Sequence, residues 1–307
     1  MEPSTSLSVK ETIADLVDSD KPLLSSKLAD LSSLGSGELR FLEQVWSDIE
    51  PERRRQIVYR LVKLAEDNFE LNYDSIFWNC LQDQDVEVRC RAIEGLWENE
   101  ETSLINPLIN LLEQDSSEEV QAVAATALGR FVMLAEHGKL RSCHASKVSQ
   151  ALLAAIGNES KTIEVKRRAL EAAAPLSLAG VKKAIRDAYQ SYDARLKASA
   201  VYAMGKNCDG SWLPVLLKEL ASDDAEIRYE AAGACGELDE KESVPYLIGL
   251  IDDPDTDVQL AAIQALGEIG GTEAKESLEQ YLNHSSEIIS QMVEQTLREL
   301  EAEEELF

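Results

Sequence analysis

The chain has 307 residues, and 44% of them are hydrophobic but only 6% aromatic, so a large core must consist mainly of small aliphatic side chains. The formal net charge of −27 argues against binding nucleic acid along the whole chain. No apolar run approaches the roughly 18 residues that span a bilayer, and Met1–Ser6 lacks the layout of a secretion signal. We therefore expect a cytoplasmic protein with no membrane partner.

The first part of the chain differs from the rest. Residues 1–38 are rich in serine and other polar side chains, and we expect them to form an N-terminal arm or cap that is partly ordered. From Leu39 to Ala65 the pattern predicts a helical pair that is less regular than the later ones. The sequence thus divides into an arm, 1–38, and a repeat region, 39–307.

A repeat of about 31 residues runs through the rest of the chain. Its apolar anchor recurs in seven units at Val88, Val120, Val165, Leu196, Ile227, Val258 and Ile289. The interval from Val120 to Val165 is 45 residues, which predicts an insertion near residues 135–147.

Each anchor begins one face of a helix. The residue four places later is small, usually alanine, and a larger apolar residue lies four places further on, as at Ala262 and Leu266. Small residues let neighbouring helices approach closely, and the larger ones fill the space between layers. A second amphipathic stretch and an acidic turn precede each anchor helix. The pattern predicts an all-α fold, an α-solenoid in which about eight antiparallel helix pairs form a right-handed superhelix.

The segment Asp252–Gly270, with Val258, Ala262 and Leu266 in its stripe, resembles a HEAT-like repeat of the phycobilisome-lyase type. The resemblance covers residues from about 72 to 300 and implies a HEAT-like or armadillo-like solenoid. In such solenoids the second helices of successive pairs commonly form the concave wall, and we expect the anchor helices to do so here.

Relatives of this repeat type include enzymes. The resemblance to deoxyhypusine hydroxylase would imply iron ligands in His-Glu pairs, but here the three histidines precede Gly138, Ala145 and Ser285. Bilin lyases share the repeat type and usually work with a second subunit, yet only scaffold positions match. His137, Cys143 and His144 are close in sequence but lack an evident fourth zinc ligand. We predict no cofactor, no metal site and no catalytic residue.

Charge is unevenly distributed along the chain. Residues 139–206, the basic middle zone, carry 13 basic and 5 acidic side chains, whereas the flanking segments 64–138 and 207–307 have net charges of −13 and −20. We expect the cation after each anchor to pair with the turn aspartates of its own or the next repeat, which applies to Arg89, Lys166, Lys197 and Arg228. Aromatic residues beside cations are typical of binding surfaces. The candidate partner-binding residues are Arg167, Arg168, Glu171, Lys182, Lys183, Arg186, Tyr202, Lys206, Tyr229 and Trp97.

The leading hypothesis is a non-catalytic scaffold or adaptor that binds a protein partner on its concave face and basic middle zone. Nucleic acid and small molecules are not expected as partners. Two alternatives stay open, a bilin-lyase-like enzyme or enzyme subunit and a nucleic-acid-binding protein that uses the basic zone. A structural role also stays open for the candidate residues, because charges can be solvated and the rings of Tyr202 and Tyr229 can cover a helix interface.

Overall fold

The computed structural model describes residues 4–304, with side chains from 9 to 302, so the ends of the expected arm and repeat region, 1–3 and 305–307, lie outside the described residues. Every regular element in this part is helical. The α-helices are α1 Ser4–Val17, α2 Ser25–Ala29, α3 Ser36–Trp46, α4 Pro51–Asp67, α5 Asp74–Cys80, α6 Val86–Gly95, α7 Ile105–Gln114, α8 Glu118–Glu136, α9 Ser142–Gly157, α10 Ile163–Ala173, α11 Ala179–Tyr189, α12 Ala194–Lys206, α13 Leu213–Glu219, α14 Ala225–Leu238, α15 Val244–Leu250, α16 Thr256–Ile269, α17 Thr272–Glu279 and α18 Glu287–Glu304. Within residues 4–304 no helix has the length and apolar character needed to cross a membrane.

The chain forms two compact units. Unit 1 comprises Met1–Ala135 and Leu140–Ala151, and unit 2 comprises Glu136–Lys139 and Leu152–Phe307. In unit 2 the second helices α10, α12, α14, α16 and α18 pack in sequence order, and the first helices α11, α13, α15 and α17 each pack on the second helix of their own pair. In unit 1, α4 packs on α6 in the same manner. This stacking of helix pairs confirms the predicted α-solenoid fold.

The acidic turns start the second helices. Asp85 accepts hydrogen bonds from the backbone N–H groups of Glu87 and Val88 at 3.1 and 3.2 Å. Asp193, Asp224 and Asp255 cap α12, α14 and α16 in the same manner. A side-chain cap of this kind contributes about 1 kcal/mol because it satisfies amides that have no partner inside the helix.

Buried cations connect successive helix pairs. The guanidinium of Arg89 donates to Asp115 at 2.7 and 2.8 Å, and both side chains are buried. Arg228 contacts Asp253 with the same geometry at 2.7 and 2.8 Å. In both cases the carboxylate lies in the turn that follows the first helix of the next pair. The predicted pairing is confirmed at these positions.

Two other cations of this set differ. Lys197 donates to Glu219, at the end of α13, at 2.8 Å instead of to a turn aspartate. Lys166 is half-buried on α10 and has no ion pair with a turn aspartate among the described residues.

The extra residues between Val120 and Val165 lengthen two helices. α8 has 19 residues and α9 has 16, and only residues 137–141 connect them. The apolar pattern continues through Phe131 on α8 and Val148 on α9, which are both buried, so the extra residues extend two helices and do not form a long loop. Cys143 and His144 lie in the first turn of α9.

The described part of the arm contains the helices α1 and α2, which pack on the first pair. α1 contacts α3, and α2 contacts α4. Arg53 of α4 is buried and donates to the backbone carbonyls of Leu16 and Lys21 at 3.3 and 2.8 Å.

Candidate binding groove

A groove of about 300 Å³ lies in unit 2 along three second helices, α12, α14 and α16. We call it the unit 2 groove. The residues that give it chemical character are Tyr202 and Lys206 on α12, Tyr229, Glu230, Gly233 and Glu237 on α14, and Asp257, Gln264 and Glu268 on α16.

Two glycines explain why the helices pack closely and yet leave the groove open. A Cβ atom at Gly205 would lie 2.6 Å from Cα of Ala234, so α12 and α14 approach each other more closely than an alanine permits. A Cβ atom at Gly233, in contrast, would have no neighbour within 4 Å. Gly233 therefore leaves space at the wall of the groove that a side chain would otherwise occupy.

The groove exposes two aromatic rings. Tyr202 is 36% exposed and Tyr229 is 45% exposed, although both lie on helices that pack against neighbours. The ammonium nitrogen of Lys206 lies 5.8 Å from the centroid of the Tyr202 ring. Both rings contribute to the groove surface, and neither is enclosed in a helix interface.

The charged side chains of the groove are unequally paired. Lys206 forms an ion pair with Glu237, and Gln264 donates to Glu268 at 2.9 Å. Glu230 is half-buried and has neither an ion pair nor a hydrogen bond among the described residues. Burial raises the pKa of Glu230 to about 7, and the negative charges of Glu171 and Glu226 act in the same direction.

The arginines of α10 belong to an internal network. Arg167 donates to Ser199 at 2.9 Å and to Glu164 at 3.1 Å, and Arg168 donates to Glu164 at 2.8 Å and to Glu171 at 3.0 Å. Ser199 in turn donates to Glu171 at 2.6 Å. Two carboxylates therefore neutralise these two cations on the same helix.

The predicted cations of α11 lie apart from the groove. Lys182 is paired with Asp209 and holds the pKa of that carboxyl well below its usual range. Lys183 contacts Asp187 one turn away, and the guanidinium of Arg186 lies 5.8 Å from the Trp212 ring centroid. Of the candidate residues, the structure brings together Tyr202, Lys206 and Tyr229, whereas the α10 and α11 cations form separate clusters.

Trp97 belongs to unit 1. Its ring is 61% exposed, and the guanidinium of Arg130 lies 5.8 Å from the ring centroid. The ring borders a cavity of about 600 Å³ whose lining includes Leu96, Leu104 and Phe131. This mainly apolar cavity was not predicted from the sequence, although Trp97 was named as a candidate binding residue.

Glu230 and Gly233 were not predicted from the sequence. Acidic residues were assigned to turns, and a glycine within a helix gives no sign of which side faces open space. The available signal was position, since Gly233 lies six residues after the anchor Ile227, where side chains point away from the buried stripe.

Comparisons with known proteins bear on the fold. A family model for HEAT repeats matches residues 75–163 and 213–298, which together exceed half of the chain. No curated protein matches the sequence. The solved complex of CpcE and CpcF of phycocyanin lyase from Nostoc sp. is similar, with 16% identity, coverage of 92% of this chain and 97% of that chain, and a TM-score of 0.51.

Two further solved structures are similar at low identity. For importin β the identity is 14%, the match covers 96% of this chain but 48% of importin β, and the TM-score is 0.50. For human deoxyhypusine hydroxylase the identity is 20%, the coverage is 97% of both chains, and the TM-score is 0.33. At such identities the likeness to the phycocyanin lyase complex and to importin β concerns the fold alone.

Proposed function

Because the chain belongs to the HEAT-repeat family, we propose that it is a non-catalytic scaffold that binds a protein partner, with the unit 2 groove as the binding surface. The observation that supports this most is the exposure of Tyr202 and Tyr229 in one groove. Tyrosine buries a large rigid ring on binding and loses little conformational entropy, so it is enriched at the centres of interfaces.

The unit 2 groove overlaps only partly with the basic middle zone. The basic middle zone supplies Tyr202 and Lys206, but Arg167 and Arg168 have their charge neutralised by Glu164 and Glu171. A protein gains affinity for nucleic acid when its cations neutralise phosphates and release their counterions. Arginines that are already paired with carboxylates on their own helix contribute little to such binding. A protein segment that presents its own side chains to the groove fits these residues better.

The test compares three forms of the protein in pull-downs from cells of the source organism, with mass spectrometry of the retained proteins. The parent is compared with the double variant Tyr202→Ala, Tyr229→Ala and with the control Tyr246→Ala, which removes a ring that is 54% exposed on α15, outside the groove. Circular dichroism first establishes that all three forms fold and melt alike.

We expect the same proteins to be retained by the parent and the Tyr246→Ala control and to be lost with the double variant. Retention of the same proteins by all three forms would contradict the proposal. A second variant, Gly233→Leu, fills open space in the groove without removing any contact, and we expect it to block the same proteins.

A further inference from the structure

The unit 2 groove has an excess of negative charge. Lys206 and Glu237 neutralise each other, which leaves Glu230, Asp257 and Glu268 without a cationic partner in the groove lining. The surrounding sequence has the same sign, since residues 207–307 carry 5 basic and 25 acidic side chains. Such a field attracts cations and repels anionic ligands.

Glu230 is the member of this set whose unpaired state matters most. A carboxylate that is removed from water without a counterion or a hydrogen-bond donor is unfavourable, and folded proteins normally provide one. Among the described residues, the positive charge that acts on Glu230 is that of Arg167, which is already paired with Glu164 and donates to Ser199. A cation from outside the chain would remove this imbalance.

The two tyrosine rings indicate which kind of cation the groove favours. The face of an aromatic ring attracts ammonium and guanidinium groups within about 6 Å of its centroid, and Lys206 already has this position over Tyr202. No cation takes the equivalent position over Tyr229 among the described residues. A hard metal ion gains nothing from a ring and prefers several oxygen ligands, so the mixed set of rings and carboxylates favours an organic cation.

We infer that the unit 2 groove binds a basic segment of the protein partner, with a lysine or arginine side chain of that segment held against Tyr229 and Glu230. This inference rests on the proposed function and specifies the chemistry of the partner. A groove of about 300 Å³ has room for one or two long side chains, and Gly233 leaves the approach to Glu230 open.

The experiment measures fluorescence anisotropy with a fluorescein-labelled hexalysine peptide at low ionic strength and about pH 8.5, where the carboxyl of Glu230 is ionised and lysine keeps its charge. The variants are Glu230→Gln and Tyr229→Ala. The matched control is Glu273→Gln, which removes the same charge from an exposed position on α17, outside the groove, and so reports the general attraction of an acidic protein for a basic peptide. Labelled hexaglutamate and oligouridylate serve as probes of the opposite charge.

We expect hexalysine to bind the parent and Glu273→Gln with equal affinity, and to bind Glu230→Gln and Tyr229→Ala about tenfold more weakly. Equal affinity of hexalysine for Glu230→Gln and Glu273→Gln would overturn the inference, because the attraction would then be diffuse. If the parent bound hexaglutamate or oligouridylate more tightly than it binds hexalysine, the inference would also be overturned.

The two proposals fail separately. If the double tyrosine variant loses the native proteins while hexalysine does not distinguish Glu230→Gln from Glu273→Gln, the groove is the binding surface but its occupant is not basic. If the double variant retains the native proteins, the proposed function itself is wrong, whatever hexalysine does.

Discussion

Replacing Gly205 with alanine is expected to destabilise unit 2, although alanine is the better helix former. The added Cβ atom would lie 2.6 Å from Cα and 2.9 Å from Cβ of Ala234, and both distances are too short for carbon atoms that do not share a bond. Because one partner is backbone, α12 or α14 must move as a whole. Overpacking of this kind costs about 1–3 kcal/mol. The higher helix propensity of alanine offsets about 0.5–1 kcal/mol of this loss.

The net expectation for Gly205→Ala is a loss of about 1–2 kcal/mol. Gly233→Ala is the matched control, since its Cβ atom meets nothing within 4 Å and only the gain in propensity remains. Native-state hydrogen exchange of the α12 and α14 amides measures both changes locally, which matters because repeat arrays do not always unfold in one step. Increased protection in both variants would refute the close approach of α12 and α14.

Three further variants test the contacts of unit 2. Arg228→Ala leaves Asp253 buried without its partner and should lower the free energy of unfolding by about 3 kcal/mol in urea denaturation, and a change below about 0.5 kcal/mol would contradict the pairing. The raised pKa of Glu230 means that the folded state binds a proton which the unfolded state releases, so stability is lost as pH rises from about 4.5 to about 7. One pKa unit corresponds to about 1.4 kcal/mol, but partial exposure screens the effect, so we expect the parent to lose about 1–2 kcal/mol relative to Glu230→Gln between about pH 5 and pH 8. If the free energy of unfolding had the same pH dependence in the parent and in Glu230→Gln, Glu230 would be well solvated. Ala231→Leu places three extra carbons at a fully buried position and should cost about 1–3 kcal/mol, whereas an unchanged melting temperature would exclude Ala231 from the core.

The fold could be predicted because it depends on local periodicity. A small residue four places after each anchor, as at Ala231 and Ala262, specifies close helix packing wherever it recurs. The insertion was harder to place, because a length difference alone does not distinguish a loop from two longer helices. The buried residues Phe131 and Val148 show that the apolar pattern continued through both helices.

The charges of the candidate site were less predictable. The basic zone is rich in cations, but Glu164 lies three and four residues before Arg167 and Arg168, a spacing at which side chains meet on a helix. That signal was present in the sequence. The unpaired state of Glu230 was not, because it depends on which charges α10 brings near Glu230 on α14.

The claim that the unit 2 groove binds a protein partner is tested most directly by site-specific photo-crosslinking in living cells. The photoreactive amino acid benzoylphenylalanine is introduced at Tyr229, inside the groove, or at Tyr246, which is at least as exposed but lies on α15 outside it. We predict a discrete crosslinked protein from position 229 and none from position 246. A crosslink from position 246 with none from position 229 would contradict the account.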